Sequence, residues 1–352
     1  MRIDHITLEN FRNYKKTEVD LRSDLILIVG ENASGKTNFL ESIYFLSKLK
    51  SFRAPDNMLV NHVEDYFRIK GQVENEKERE VLEVVVQKNP ITRRGFKVND
   101  QKVKRISWNT FKTVLFVPND LNMFTLGPEA RRKFLNEVLA EKEELYSLDL
   151  ASMDHILKQR SALLEKIGDY TATPFELEFW NQQLAQVAVR VSRARRNFLD
   201  YISDKFGQTY HNLTGFGSEF EVAYKGLDRD INEQRFVQIL KDHLEAEIRS
   251  GMNLIGPHRD DFTITKDGIQ NVHNSSRGEL REQILALKIL QAEYITTGSN
   301  RPIMLLDDVF SELDSVRSEL LLNNFSEHQV FITSTEALTG DKMKTIKVMD
   351  IL

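Results

Sequence analysis

The sequence contains no cysteine. Disulfides, thiolate zinc sites, iron–sulfur clusters and a cysteine nucleophile are therefore excluded. Long apolar runs are missing too. The longest, such as Leu25–Val29 and Ile303–Leu306, are of strand length, well short of the roughly 20 residues that span a bilayer. The opening MRIDHITLENFRNYKK has no apolar core of a signal peptide. There is no excess of base either: 48 Lys plus Arg face 53 Asp plus Glu, for a formal net charge of −5. That balance argues against a purely polybasic nucleic-acid binder but leaves room for local basic patches. No repeat or low-complexity tract is visible, and the histidines show no metal-ligand spacing. A cytoplasmic protein with no membrane association is the expectation.

The 352 residues, 41% of them apolar, are enough for a sizeable core and about two domains. Ile6 and Leu8 alternate with polar neighbours, and Leu25–Val29 is continuously apolar, the pattern of a strand buried on both faces. Further strands are expected at 67–73, 81–87, 96–98 and 114–117. From about 129 to 210 the texture is helical, with one break at 168–174; Leu145, Leu148, Met153, Ile156, Leu163, Leu164 and Ile167 recur at helical steps. Strands return at 216–223, 261–265, 301–310 and 329–333, with a long helix at 279–295. This predicts a mixed sheet lobe built from residues 1–127 and 296–352, with a mainly helical lobe, 128–295, inserted between.

The strongest motif is Gly30-Glu31-Asn32-Ala33-Ser34-Gly35-Lys36-Thr37, with Asn38 next, which matches G-x-x-x-x-G-K-[ST] and lies between a buried strand and a helix. Its amides and the helix N-terminus make an anion cradle. Lys36 supplies a point charge for the β- and γ-phosphates, and the Thr37 hydroxyl is placed for Mg²⁺. The second motif is Pro302-Ile303-Met304-Leu305-Leu306-Asp307-Asp308, a buried strand delivering two carboxylates to its C-terminal edge, where open α/β sheets bind ligands. Asp307 would hold Mg²⁺; Asp308 could orient or deprotonate an attacking water. The segment Ser275-Ser276-Arg277-Gly278-Glu279 opens a helix, and Ser311-Glu312-Leu313-Asp314 follows the acidic strand. Their order and spacing resemble the signature motif and D-loop of ABC-type ATPases.

Together these segments resemble the RecF family of bacterial recombination mediators, ATPases related to SMC proteins. The resemblance is carried by ITLENFRNY, GENASGKTNFLESIYFLS, Lys50-Ser51-Phe52-Arg53, VLFVPNDL followed by GPEARRKFLN, Ile255-Gly256-Pro257-His258-Arg259-Asp260-Asp261, SSRGELREQILALKIL and PIMLLDDVFSELD. It is weakest between about 140 and 250. It implies a two-lobed α/β P-loop head of ABC type, binding ATP and Mg²⁺, sandwiching ATP in a homodimer, and hydrolysing it slowly with DNA as stimulator. It implies sequence-independent binding of gapped or junction DNA, work with RecR and alongside RecO, and help in loading RecA during repair and replication restart. Carried over by position, Asn32 and Lys36 contact phosphate, Thr37 and Asp307 hold Mg²⁺, Asp308 takes the catalytic carboxylate role, Ser276 and Gly278 act in trans, and Asp314 bridges the dimer. Two departures stand out. Asp308 is a methylene shorter than the Glu usual in ABC proteins, and the position of the switch histidine holds Thr335. No Q-loop glutamine is evident; Asn119 or Asp120 fills its place.

Basic clusters occur at 91–105, at Lys48, Lys50 and Arg53, at Arg131–Lys133 and at Arg190–Arg196. Lys50, Arg53, Arg93 and Arg94 are the leading candidates for DNA phosphate contacts. No aromatic-rich stacking platform is evident. Competing readings are a P-loop kinase or small-molecule NTPase, which leaves the signature and SELD unexplained, an SMC-like ATP-switched scaffold, and the ATPase of a nuclease or defence system.

Overall fold

The computed structural model describes residues 1–75, 78–104, 111–310, 315–336 and 343–352. Two compact units are present. The first comprises Met1–Asp120, Asn212–Gly215 and Glu282–Leu352; the second, Leu121–His211 and Phe216–Arg281.

The first unit holds two sheets. One is five-stranded and wholly parallel, in the order Met343–Lys347, Leu25–Val29, Val330–Ser334, Ile303–Leu306, Thr113–Phe116. Parallel strands covered on both faces read as unbroken apolar runs, which is why LILIV, IMLL and VFITS were legible as strands. The other sheet is six-stranded and antiparallel, in the order Tyr14–Asp20, Arg2–Phe11, Tyr66–Glu74, Arg79–Gln87, Arg93–Val98, Gln101–Val103. One core joins both sheets and the helix Lys36–Lys48. Phe67 receives the edges of Phe11 and Phe45 at 5.2 and 5.4 Å. At Gly71 a Cβ would meet the Leu46 side chain at 2.5 Å, so the helix seats on the antiparallel sheet where a side chain is missing.

The second unit contains the helices Pro128–Lys142, Glu144–Gly168, Glu233–Asp242 and Leu244–Ser250, most of Leu177–Thr214, and a three-stranded antiparallel sheet with Asp261–Lys266 between Phe220–Lys225 and Ile269–Gln270. Two ion pairs are buried in it. Arg160 is closed off from solvent and meets Glu247 at 2.7 Å and Asn181 at 2.8 Å. Arg195 meets Asp260 at 3.0 Å, Asn136 at 2.9 Å and the Tyr146 hydroxyl at 3.1 Å.

Several boundaries differ from those expected. The units divide after Asp120 and Arg281 rather than after 127 and 295. The reason lies in the helix Arg277–Ile295: from Arg281 to Ala292 it is buried all round, the pattern of a helix inside a core. Lys288 pairs with Asp120 at 3.4 Å, and the Lys112 ammonium meets the Ile295 carbonyl at 3.3 Å, so most of the helix belongs to the first unit. The helical stretch has a second break, at the extended residue Glu143. Met153, Ile156, Leu164 and Ile167 are buried as their spacing suggests, but Leu145 and Leu148 are exposed.

Candidate nucleotide site

The turn between the first two strands braces the phosphate loop. Asn13 donates its amide to the Ser34 carbonyl at 2.9 Å, and the Tyr14 hydroxyl donates to the Gly35 carbonyl at 3.1 Å. Gly35 has φ +119°, and a Cβ there would collide with the Asn13 amide. Only glycine meets both demands at once. A Cβ on Gly30 would strike the Ser34 hydroxyl at 2.5 Å. That hydroxyl is buried without a hydrogen-bond partner among the described residues. The Lys36 ammonium closes the loop by donating to the carbonyls of Gly30 and Glu31 at 2.7 and 2.8 Å.

The acidic strand delivers Asp307 to this loop. The Thr37 hydroxyl lies 3.0 Å from both oxygens of the Asp307 carboxylate. The Thr333 hydroxyl donates to the same carboxylate at 2.8 Å and accepts from the Asp308 amide at 2.8 Å. Parallel register explains this: Leu306 pairs with Ile332, so the next residues on each strand are neighbours. Burial pushes the Asp307 carboxyl above the usual carboxylate range, with the Thr333 and Thr37 hydroxyls working the other way. Asp308 follows with φ +53°, a left-handed backbone that turns the chain sharply at the strand's end.

A cleft of about 290 Å³ is lined by the loop at Asn32, Ala33 and Gly35 to Asn38, with Asp307, Asp308, Thr333, Pro118 and Arg53. The Arg53 guanidinium is held there by Asn38 and, at 2.8 Å, by Glu41. Glu41 is closed off from solvent and also receives Arg12 at 2.9 and 3.0 Å and the Ser51 hydroxyl. Burial opposes its charge, but the hydrogen bonds from Arg53, Arg12 and Ser51 together hold the carboxyl below its ordinary range. The residues suit a magnesium–nucleotide complex. The glycine-shaped loop and the Lys36 ammonium suit an anion, and the Thr37 hydroxyl with the Asp307 carboxylate suits a hard cation that takes oxygen ligands.

A model of the RecF/RecN/SMC N-terminal domain matches residues 2–350. The DNA replication and repair protein RecF of Moorella thermoacetica is 34% identical over 339 residues, covering 95% of this chain and 90% of its own. This chain belongs to the RecF family. The RecF protein of Staphylococcus epidermidis is 32% identical over 370 residues, covering 100% of this chain and 98% of its own. A solved structure of the recombination mediator protein RecF with ATP, in the RecFOR pathway, superposes with a TM-score of 0.88 at 29% identity, over 98% of this chain and 95% of that one. The fold is that of the RecF and SMC type of ABC ATPase head, mixed α/β with a helical insertion.

In this RecF-family chain Asn32, Ala33, Gly35, Lys36 and Thr37 of the loop meet Asn38, Asp307 and Asp308 in one cleft, while Gly30, Glu31 and Ser34 do not line it. Sequence reasoning did not single out Thr333, which counting register from the acidic strand would have found; Thr335, at the position of the switch histidine, is exposed beyond the strand Val330–Ser334. The same reasoning also missed Asn13, Arg12 and Glu41, whose signal was the sequence FRNY and a glutamate inside an otherwise apolar helix. Asp120 accepts from the Val117 amide at 2.9 Å and pairs with Lys288, while Asn119 is exposed in the turn Pro118–Leu121.

Ser276 and Gly278 lie in the second unit, at the start of the helix Arg277–Ile295. Ser276 caps it: the Glu279 amide donates to the Ser276 hydroxyl at 3.2 Å, and the Ser276 amide donates to the Glu279 carboxylate at 2.8 Å. Asp314, with the rest of 311–314, falls outside the described residues, as does Arg105.

The four candidate DNA contacts separate. Arg53 lines the nucleotide cleft. Arg94 is paired with Asp56 beside the Phe45 ring. Arg93 and Lys50 are exposed. In the other clusters Arg131 is bound to Asp261 and Arg190 to Asp149, and Arg195 is buried rather than a surface cation. His258 sits against the Asn253 carbonyl at 3.0 Å within the second unit.

Proposed function

We propose that this chain is an ATP-dependent DNA-binding protein that hydrolyses ATP slowly, dimerises around it, and supports DNA repair and replication restart. The observation that carries the reading is the meeting of Thr37 and Asp307 at the mouth of the phosphate loop. Thr37 and Asp307 would hold Mg²⁺, which when bound supplies charge neutralisation on the phosphates. The loop amides and Lys36 bind the phosphates and orient them. Lys36 exchanges its two carbonyl partners for phosphate oxygens. Arg53, fixed by Glu41, places a second cation beside the same cleft. Asp308 orients the attacking water; its short side chain fits slow turnover.

Ser276 and Gly278 are exposed, and at Gly278 a Cβ would meet, among the described residues, nothing nearer than the Ser276 hydroxyl at 4.0 Å. A glycine kept at an open helical position, where alanine would be more stable by about 0.5–1 kcal/mol, supports close approach of a partner's phosphate. The partner is a second copy carrying ATP. Asp314 would bridge the two copies. Lys50 and Arg93 are the better-placed phosphate contacts for gapped or junction DNA; RecR is the direct protein partner, with RecO in the same pathway helping to load the recombinase. The site of action is the cytoplasm, at the nucleoid. ATP turnover measured with and without gapped duplex DNA at two salt concentrations tests this reading. Stimulation by DNA that fades with salt and vanishes in Lys36→Met supports it. Turnover indifferent to DNA sinks it.

A further inference from the structure

The second unit carries a separate cleft of about 200 Å³. Phe124, Leu126, Phe262 and Ile264 form apolar wall, and Arg131 and Asn271 supply polar wall. Phe262 is wholly buried and Phe124 nearly so. Asn271 is 2% exposed, yet among the described residues neither its side-chain nitrogen nor its side-chain oxygen has a hydrogen-bond partner. Leaving both halves of a buried amide unmet is costly. Arg131, by contrast, is held by Asp261 at 2.6 and 3.0 Å and by the carbonyls of Met123 and Leu126.

An unmet amide in a cleft with one apolar side complements a flat group with apolar faces and a donor and an acceptor side by side on its edge. Every nucleobase has this form, and asparagine reads adenine in this way. The apolar side of the cleft, with Leu126 its exposed member, accepts the face of any base, which makes such capture tolerant of sequence. We propose that this cleft captures one unstacked base of a single-stranded DNA segment, with Asn271 on its hydrogen-bonding edge. The proposal rests on the DNA-binding reading above and gives the strand a place to act. Asn271 opens the short helix Asn271–Asn274 and its carbonyl accepts from the Ser275 amide at 3.0 Å. A base seated on Asn271 therefore touches the segment that leads directly into Ser276 and the capped helix.

The test uses a short single-stranded deoxyoligonucleotide carrying 2-aminopurine, read by fluorescence on the full chain, with thermal melting of each protein. Wild type should change the probe's fluorescence. Asn271→Leu should bind at least about tenfold more weakly, a loss of one hydrogen-bonded edge, and should melt a few degrees higher, because an unmet amide is replaced by an apolar group of similar size. Asn271→Asp, which keeps the volume and loses the donor, should also bind more weakly. Wild-type affinity in both variants overturns the proposal while leaving DNA binding intact. A lower melting temperature for Asn271→Leu also overturns it, since the amide would then be satisfied in the fold by ordered water. No binding by wild type would defeat the DNA-binding reading itself. Free adenosine separates the sources: stabilisation by adenosine that depends on Asn271, without oligonucleotide binding, assigns the cleft to a nucleoside and overturns the DNA capture.

Discussion

The Thr37 hydroxyl sits 3.0 Å from both carboxylate oxygens of Asp307, 270 residues away in sequence. Asp307 is 8% exposed and burial raises its pKa, so the carboxylate is held in a place where a cation would relieve it. Asp307→Ala should therefore abolish magnesium-dependent ATP binding, with affinity falling at least about a hundredfold, while Thr333→Ala, which removes one of two hydroxyl partners, should cost less. Equilibrium binding of a fluorescent ATP analogue, with and without Mg²⁺, checks both. Equal affinity of Asp307→Ala and wild type in Mg²⁺ would remove Asp307 from the site.

The Arg160–Glu247 pair predicts a stability effect away from the nucleotide. Both side chains are fully buried, and Arg160 is also bound to Asn181 and Asn253. Removing one partner of a buried pair leaves an uncompensated charge, so Glu247→Ala should cost about 3–5 kcal/mol. Replacing both with apolar residues should cost much less. Denaturant titration of the single and double variants decides this; a single variant within about 1 kcal/mol of wild type contradicts it.

Glu279 gives a pH signature. Hydrogen bonds from Lys266 and from the Ser276 amide lower its pKa from 4.5 to about 2. A carboxyl depressed in the folded state stabilises above its unfolded pKa and loses that contribution as pH falls through the folded value. The capping interaction is thus complete above pH 4.5 and fades toward pH 2. The group is partly exposed, so after screening the effect is on the order of 0.5–1 kcal/mol. Melting curves of wild type and Glu279→Gln should differ near neutrality and converge toward pH 2. A constant difference across that range would show that the carboxylate charge contributes nothing.

Most of this site was legible in the sequence because its parts are local. A phosphate loop declares itself within eight residues, and IMLLDD announces a buried strand with carboxylates at its end. What was not legible depends on register and on long-range packing. Thr333 reaches Asp307 only because two parallel strands align Leu306 with Ile332. Arg53 looks like a surface cation until Glu41, inside the helix, is seen to hold it. Phe124 and Phe262 face one cleft although no sequence window contains both. The two units divide within the helix Arg277–Ile295 rather than after it; the all-round burial of 281–292 says core but not which core.

In the proposed function the ATP site is completed by the signature of a second copy, and a charge at Gly278 tests this. Asp at that position sits in the first turn of a helix, where negative charge is favourable, and the open space around Gly278 accommodates it. Gly278→Asp should fold as wild type and should repel a partner's phosphates. Lys36→Met disables the loop in cis. DNA-stimulated ATP turnover is measured for each variant and for their equal mixture. Each variant alone should be inactive and the mixture should recover turnover, because a mixed dimer pairs one intact loop with one intact signature. An inactive mixture of two well-folded variants, or full turnover by Gly278→Asp alone, would contradict it.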